Sequence, residues 1–265
     1  MAVERSRSFR RALGLLEALG TDDVVAAGGC GVNELATLTG MDKSQASRLL
    51  ATMADAGYVD RDARTRRYRL GWQVFALAAR SGDQRLLSAA GPVLVRLVRE
   101  IGESSHLSVL RGTAVLTLLT ESPSRAVQAV SWVGRLAPAT STSSGRALLL
   151  DHDRGQLAAM FGSERWPAAT AKSPRDVDDL AERITLARAA GYARVEEESE
   201  PGLVAVAAPV RDAAGRIVAA VNLSAPRFRL GRRLARAGVA VAAAAADLTA
   251  ALGRPAPAMM EEAFA

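Results

Sequence analysis

Between Phe9 and Leu70 the chain strings together three short helical patterns, each stopped by a glycine, and then a small arginine-rich hairpin. Few folds accept that order. In the first pattern Phe9, Leu13, Leu16 and Leu19 recur at helical spacing. Residues 21–31 are rich in Gly and Asp and read as a loop. Val32, Leu35, Ala36 and Leu38 then outline a short helix that stops at Gly40. Asp42 is placed to cap a third helix, with Gln45 three residues on, as in a capping box. That helix runs to about Ala56 and ends at Gly57. Residues 58–60 and 67–70 are strand-like and flank turn residues 62–65. Three helices followed by a hairpin make the layout of a winged helix-turn-helix.

The third helix carries the sharpest chemistry. At 100° per residue Ala46, Leu49, Leu50 and Met53 share one side, which must pack on the first two helices. Ser44, Ser47, Arg48 and Ala51 lie opposite, flanked by Gln45. In this motif the N-terminal residues of the last helix meet base edges in the major groove. Gln suits adenine, Arg suits guanine, and small residues let the helix sit deep. Taken alone, such a face also fits a solvated helix surface; the order of the surrounding elements favours DNA. Arg61, Arg64, Arg66, Arg67 and Arg69 on the hairpin, and Arg5, Arg7, Arg10 and Arg11 before it, can neutralise phosphates without specifying sequence. The candidate contacts are therefore Arg10, Lys43, Ser44, Gln45, Ser47, Arg48, Arg64, Arg66 and Arg67, with double-stranded operator DNA as the partner.

At 265 residues the chain has room for two compact domains. Its formal charge of +6 permits a polyanionic partner without proving one. Cys30 is the only cysteine, so no internal disulfide forms. With only His106 and His152 besides, a Cys/His zinc cluster cannot be built, and no metal or cofactor is expected. No signal peptide or membrane span is read; the apolar run 239–246 is too short to cross a bilayer. A cytoplasmic protein is expected.

The periodicity assigns residues 1–75 to the winged helix-turn-helix, 76–90 to a connector helix, 91–252 to a second domain and 253–265 to a flexible tail. The connector pattern starts at Trp72 and is interruptible near Gly82; Pro92 opens a further helix to Ile101. Beyond Gly102 strand-like runs appear at 106–110, 114–120 and 126–133. A helix follows at 141–150, out of a Ser/Thr-rich loop. Residues 173–176 read as a helix start, with Ser173 as cap, and Val177, Leu180, Ile184 and Ala187 mark its buried face. Strands at 204–210 and 217–224 flank a turn, and an Ala-rich helix covers 232–252. The mixture defines an α+β fold.

Residues 11–19, Glu34-Leu35-Ala36, Thr39-Gly40, residues 48–52, Gly57-Tyr58-Val59 and residues 68–71 resemble the DNA-binding domain of the IclR family. The similarity continues through Gly102-Glu103, His106-Leu107, Ser144-Gly145-Arg146-Ala147, Gly191-Tyr192-Ala193, Glu197-Glu198 and residues 207–210. It implies a GAF/profilin-like effector domain with an antiparallel sheet, a homodimer or a dimer of dimers on a pseudo-palindromic operator, and a transcription regulator, a repressor more than an activator. It also implies a small-molecule effector, a small organic acid or an aromatic metabolite, held by Trp132, Ser143, Ser144, Val195, Glu196, Ala205, Asn222 and Ser224. Val195 stands where relatives that bind small keto acids carry an acid, and Asn222 replaces an expected hydroxyl. The pocket is therefore expected to be larger or differently polar.

Simpler readings stand beside these. Ser/Thr before a helix caps it; His106 alternates with apolar neighbours and reads as a satisfied core histidine; His152 reads as exposed; residues 196–198 read as solvated acids. Ser141, Ser143 or Ser144 with His106 would suggest a hydrolase, yet no G-x-S-x-G elbow surrounds them. A partner-binding scaffold with a degenerate winged helix is the third class.

Overall fold

The computed structural model describes residues 7–80, 84–123, 132–162, 166 and 169–253. Its contacts divide the chain between Gln84 and Arg85. The first unit holds α1 (Arg7–Leu19), α2 (Asp22–Ala26), α3 (Val32–Thr39), α4 (Lys43–Asp55), the hairpin β1 (Val59–Arg61) and β2 (Tyr68–Leu70), and α5 (Trp72–Arg80). Residues 21–31 thus contain a helical turn rather than an open loop, with Asp22 and Asp23 favourably placed at its positive end.

Leu15, Leu19, Leu35, Leu50, Met53, Val59 and Tyr68 form the core of this unit. Phe9 and Leu13 do not join it, being 66% and 42% exposed. Helix α1 has more apolar residues than one face can hold, and the neighbouring α3 and α4 select the arc of Ala12, Leu15, Leu16 and Leu19. The turn between α3 and α4 needs a left-handed residue; Gly40, at φ 64°, supplies it without a Cβ penalty.

The second unit is built on a six-stranded antiparallel sheet. Helix α6 (Gln84–Ile101) precedes β3 (Ser104–Arg111), β4 (Ala114–Glu121), β5 (Leu136–Pro138), α7 (Ser143–Leu148), α8 (Arg154–Phe161) and α9 (Val177–Ala190). Then come β6 (Ala193–Glu196), β7 (Leu203–Arg211), β8 (Ile217–Pro226), α10 (Arg227–Leu230), a short 3₁₀ turn and α11 (Leu234–Gly253). The strand order is β5-β4-β3-β8-β7-β6.

Alternate residues of each strand face opposite layers. Leu107, Val204, Val206, Val221 and Leu223 pack beneath α6 and α11. Ala207 and Ala220 face α7, α8 and α9 on the other side. By length and composition alone Arg227–Gly253 passes for a membrane span. Here Leu234, Ala237, Val241, Ala245 and Leu248 bury it as the core helix of the sheet.

Several local expectations give way to tertiary packing. Pro92 lies inside α6 rather than at a helix start. A proline costs a helix interior about 3 kcal/mol. Seven buried side chains along α6, from Leu86 to Ile101, outweigh that at roughly 1.5–3 kcal/mol for each large aliphatic. The cap of α9 is Asp176, not Ser173: Asp176 accepts from the Asp179 N–H at 2.8 Å, while Ser173 Oγ donates to the Glu198 carbonyl at 2.6 Å. Helix α8 and strand β6 were not foreseen. The expected strand 126–133 falls outside the described residues except for Trp132 and Val133, which are not in a strand; Gly82 and the tail 254–265 also fall outside them.

Candidate DNA face and effector cavity

The N-terminus of α4 is built by Asp42. Its Oδ1 accepts from the Gln45 N–H at 2.8 Å and from Ser44 Oγ at 2.7 Å. The Ser44 bond first, then the Gln45 bond, hold the Asp42 carboxyl below its usual pKa. The Ser44 hydroxyl is thereby engaged in the cap. The Gln45 side chain does not close a reciprocal box; its Oε1 accepts from Arg11 Nη1 at 2.6 Å. Arg11 of α1 thus orients the amide of α4, a tether absent from the expected contacts.

Lys43, Ser47 and Arg48 are exposed on the same helix, opposite buried Ala46, Leu50 and Met53. Arg10 is exposed on α1. At the hairpin tip Asp62 accepts from the Arg64 and Thr65 N–H groups at 3.0 and 2.6 Å, and Arg66 completes the turn at φ 60°. Arg64 and Arg66 extend from this tip into solvent. Arg67 differs: its Nε and Nη2 donate to the Gly29 carbonyl at 2.9 and 2.6 Å. Its guanidinium joins the hairpin to the α2–α3 loop, reinforced by paired backbone bonds between Cys30 and Tyr68 at 2.8 Å.

In the second unit a cavity of about 300 Å³ opens on the sheet face opposite α6 and α11. Its floor is polar: His106 and Ser108 from β3, Thr117 from β4, and Asn222 and Ser224 from β8. Ser141, Ser143 and Ser144 at the start of α7 form one wall. Val195 of β6, Ala205 of β7, Ser199 and Glu200 form another, and Trp132 and Leu136 supply apolar cover. Seven of the eight residues expected to meet an effector line this space. The eighth, Glu196, points to the other side of its strand and pairs with Arg194.

His106 is buried and fully engaged. Its Nδ1 lies 3.0 Å from Thr120 Oγ1 and its Nε2 3.2 Å from Ser224 Oγ. Burial pushes its pKa down to about 4, so the imidazole is neutral at pH 7. The histidine is satisfied, as expected, yet it is also part of the cavity floor. The alternation of His106 and Ser108 with Leu107 and Val109 is the signal that would have found this polar face. Asn222 Nδ2 donates to Ser143 Oγ at 2.6 Å and to the Val206 carbonyl at 3.3 Å. Ser141 Oγ is buried with no hydrogen-bond partner among the described residues.

Helix α7 sits against the cavity because Gly145 lacks a side chain: a Cβ there would lie 2.1 Å from the Ala139 carbonyl oxygen. Thr142 caps the helix, accepting from the Gly145 N–H at 3.2 Å. One turn on, Arg146 is buried and holds Glu198, which also pairs with Arg183 at 2.8 Å. The acids at 196–198 are therefore not a solvated run. Glu198 is 7% exposed, and Glu197 turns the chain at φ 59° and pairs with Lys172 and Arg227. His152 is half-buried rather than exposed.

A winged helix-turn-helix joined in one chain to an α/β domain that encloses a small polar cavity defines a ligand-responsive, DNA-binding transcription regulator. The IclR helix-turn-helix domain matches residues 8–63, and the bacterial transcriptional regulator IclR C-terminal domain matches residues 80–250. The chain belongs to the IclR family. It is 32% identical over 248 residues to the HTH-type transcriptional regulator BhcR of Paracoccus denitrificans, covering 92% of this chain and 86% of that one. It is 26% identical over 258 residues to the HTH-type transcriptional repressor AllR of Salmonella typhimurium, covering 97% and 93%. A crystal structure of the transcriptional regulator RHA06195 from Rhodococcus sp. RHA1 has 27% identity and a TM-score of 0.71, covering 94% of this chain and 98% of that one.

Proposed function

We propose that this protein represses transcription from a pseudo-palindromic operator, and that a small organic acid or aromatic metabolite bound over β3 and β8 changes its affinity for DNA. The observation that carries the reading is the cavity itself: it gathers His106, Ser143, Asn222 and Ser224 from three separate elements around space for a one-ring molecule. The repressor assignment is supported by the likeness to AllR. On this reading residues 1–75 bind DNA, residues 76–90 relay and residues 91–252 sense, in the cytoplasm.

Arg48, Gln45 and Ser47 read bases, while Arg10, Lys43, Arg64 and Arg66 position the phosphates. Arg67 acts through the fold of the hairpin. Residues 1–75 carry 11 basic and 9 acidic side chains, a net of only +2 on each copy, which favours a homodimer or a dimer of dimers. Ser141, Ser143 and Ser144 bind rather than catalyse, since the hydrogen bonds of His106 go to Thr120 and Ser224 and not to them. An effector shifts DNA binding only through unequal affinity for the two states of the protein.

Fluorescence anisotropy on promoter fragments upstream of the gene and its neighbours tests this. Salt-sensitive, fragment-selective binding that moves when a metabolite is added is expected. Equal affinity for every fragment at every salt concentration would refute it.

A further inference from the structure

We infer that, of the two effector classes, the cavity takes the aromatic metabolite rather than the small organic acid, and that this molecule meets Asn222 and Ser143 with an uncharged edge of the amide type, a hydrogen-bond donor beside an acceptor, and not with a carboxylate. The inference rests on the cavity being the effector site.

The orientation of the Asn222 amide is set by its neighbours. The Val206 carbonyl, 3.3 Å away, can only accept, so the group facing it must be the –NH₂. The same nitrogen donates to Ser143 Oγ at 2.6 Å. The amide oxygen is left over, and among the described hydrogen bonds it has no donor. Asn222 therefore offers the cavity an acceptor. Ser143 Oγ, having accepted from Asn222, keeps its own hydrogen to donate. The two side chains present one acceptor next to one donor, the complement of an N–H beside a C=O.

A carboxylate fits this edge poorly. It has no hydrogen for the Asn222 oxygen and would set two acceptors against each other. No Lys or Arg lines the cavity among the described residues. His106, with both nitrogens engaged, is neutral at pH 7. The charge of the nearby Arg146 guanidinium is balanced by Glu198, its Nη1 and Nη2 donating to that carboxylate and Nη1 also to the Arg194 carbonyl, while Nε alone has no partner among the described residues. A buried anion without a compensating charge is costly, whereas an amide with both partners met is not. Val115, Leu136 and Leu203 leave an apolar remainder for a single ring, and about 300 Å³ lies at the small end of ligand cavities.

Isothermal titration calorimetry of the full-length protein, with isosteric pairs as probes, decides the matter: benzamide against benzoate and nicotinamide against nicotinate at pH 7.5. The amide of at least one pair should bind at least tenfold more tightly than its acid. In Asn222→Ser, where a hydroxyl can donate or accept, the ratio should fall below threefold. Asn222→Thr serves if circular dichroism shows that the first variant is unfolded. Acids binding as well as amides, no amide binding at millimolar concentration, or an amide preference that survives both substitutions would each overturn the inference. Operator binding by the ligand-free protein is measured separately, so this inference can fail while the regulator reading stands.

Discussion

Arg146 and Glu198 form a forked ion pair inside the effector domain, Nη2 to Oε2 at 2.5 Å and Nη1 to Oε1 at 3.3 Å, with side chains only 3% and 9% exposed. The pair ties α7, which carries Ser143 and Ser144, to the β6–β7 loop, which carries Ser199 and Glu200. Thr170 and Ser173 donate to the Glu197 and Glu198 carbonyls and draw a third segment into the same knot. Two walls of the cavity thus hang on one buried contact.

Removing one partner leaves the other charge buried and unpaired. Glu198→Ala should destabilise the protein by about 3–5 kcal/mol. Replacing both, as Arg146→Met with Glu198→Leu, should recover most of that loss. Urea titration followed by circular dichroism measures both. A loss under 1 kcal/mol in the single variant would mean that water reaches the site.

Gly145→Ala should be among the most damaging small substitutions in the chain. Its Cβ would overlap the Ala139 backbone, which cannot move aside as a flexible side chain could. Overpacking of this kind costs about 1–3 kcal/mol or more. Thermal unfolding is the direct check, and a melting temperature equal to that of the parent protein would show that the approach of α7 to the 139 turn is looser.

Acid should weaken the fold through His106. Its pKa is about 4 in the folded protein, below the ordinary value of 6.5. The folded state therefore resists protonation. Stability is complete above pH 6.5 and falls as the pH drops toward 4, by at most about 3 kcal/mol from this group. His106→Gln should flatten that part of the pH profile in chemical denaturation. Parallel profiles for the two proteins would assign the acid sensitivity to other groups.

Two arginines of the first unit should separate cleanly. Arg48 is exposed on α4, so Arg48→Ala should weaken operator binding by about 1–3 kcal/mol with the fold intact. Arg67 is bound to Gly29, so Arg67→Ala should lower the unfolding midpoint as well. Anisotropy and thermal melts on the two variants give the comparison. An Arg67 variant as stable as the parent would return that residue to the DNA-facing set.

The legible parts of the molecule were those governed by neighbours along the chain. Asp42 caps α4, Gly40 and Gly191 end helices in left-handed conformations, and Leu180, Ile184 and Ala187 are the buried face of α9. Asn222 and Ser224 share a strand face because strand periodicity is two. The misreadings arose where partners distant in sequence compete. Ser173 has good capping chemistry but bonds to Glu198. Pro92 signals a helix start but is carried by the apolar face of α6. Phe9 and Leu13 repeat at helical spacing but lie off the arc that α3 and α4 cover.

What the sequence by itself determined is the order of elements, the capped helix α4 with Arg48 on its exposed face, and the family, because capping, periodicity and motif spacing are local properties that a linear chain displays. What only the tertiary structure decided is which polar groups are free. That Arg67 and Arg146 are engaged, that Glu198 is buried, that His106 is neutral, and that the Asn222 amide nitrogen donates to Ser143 and to the Val206 carbonyl all depend on segments tens of residues apart meeting within hydrogen-bond distance. Hydrogen bonding and desolvation act over a few ångströms of space, and the linear order of residues does not record that separation.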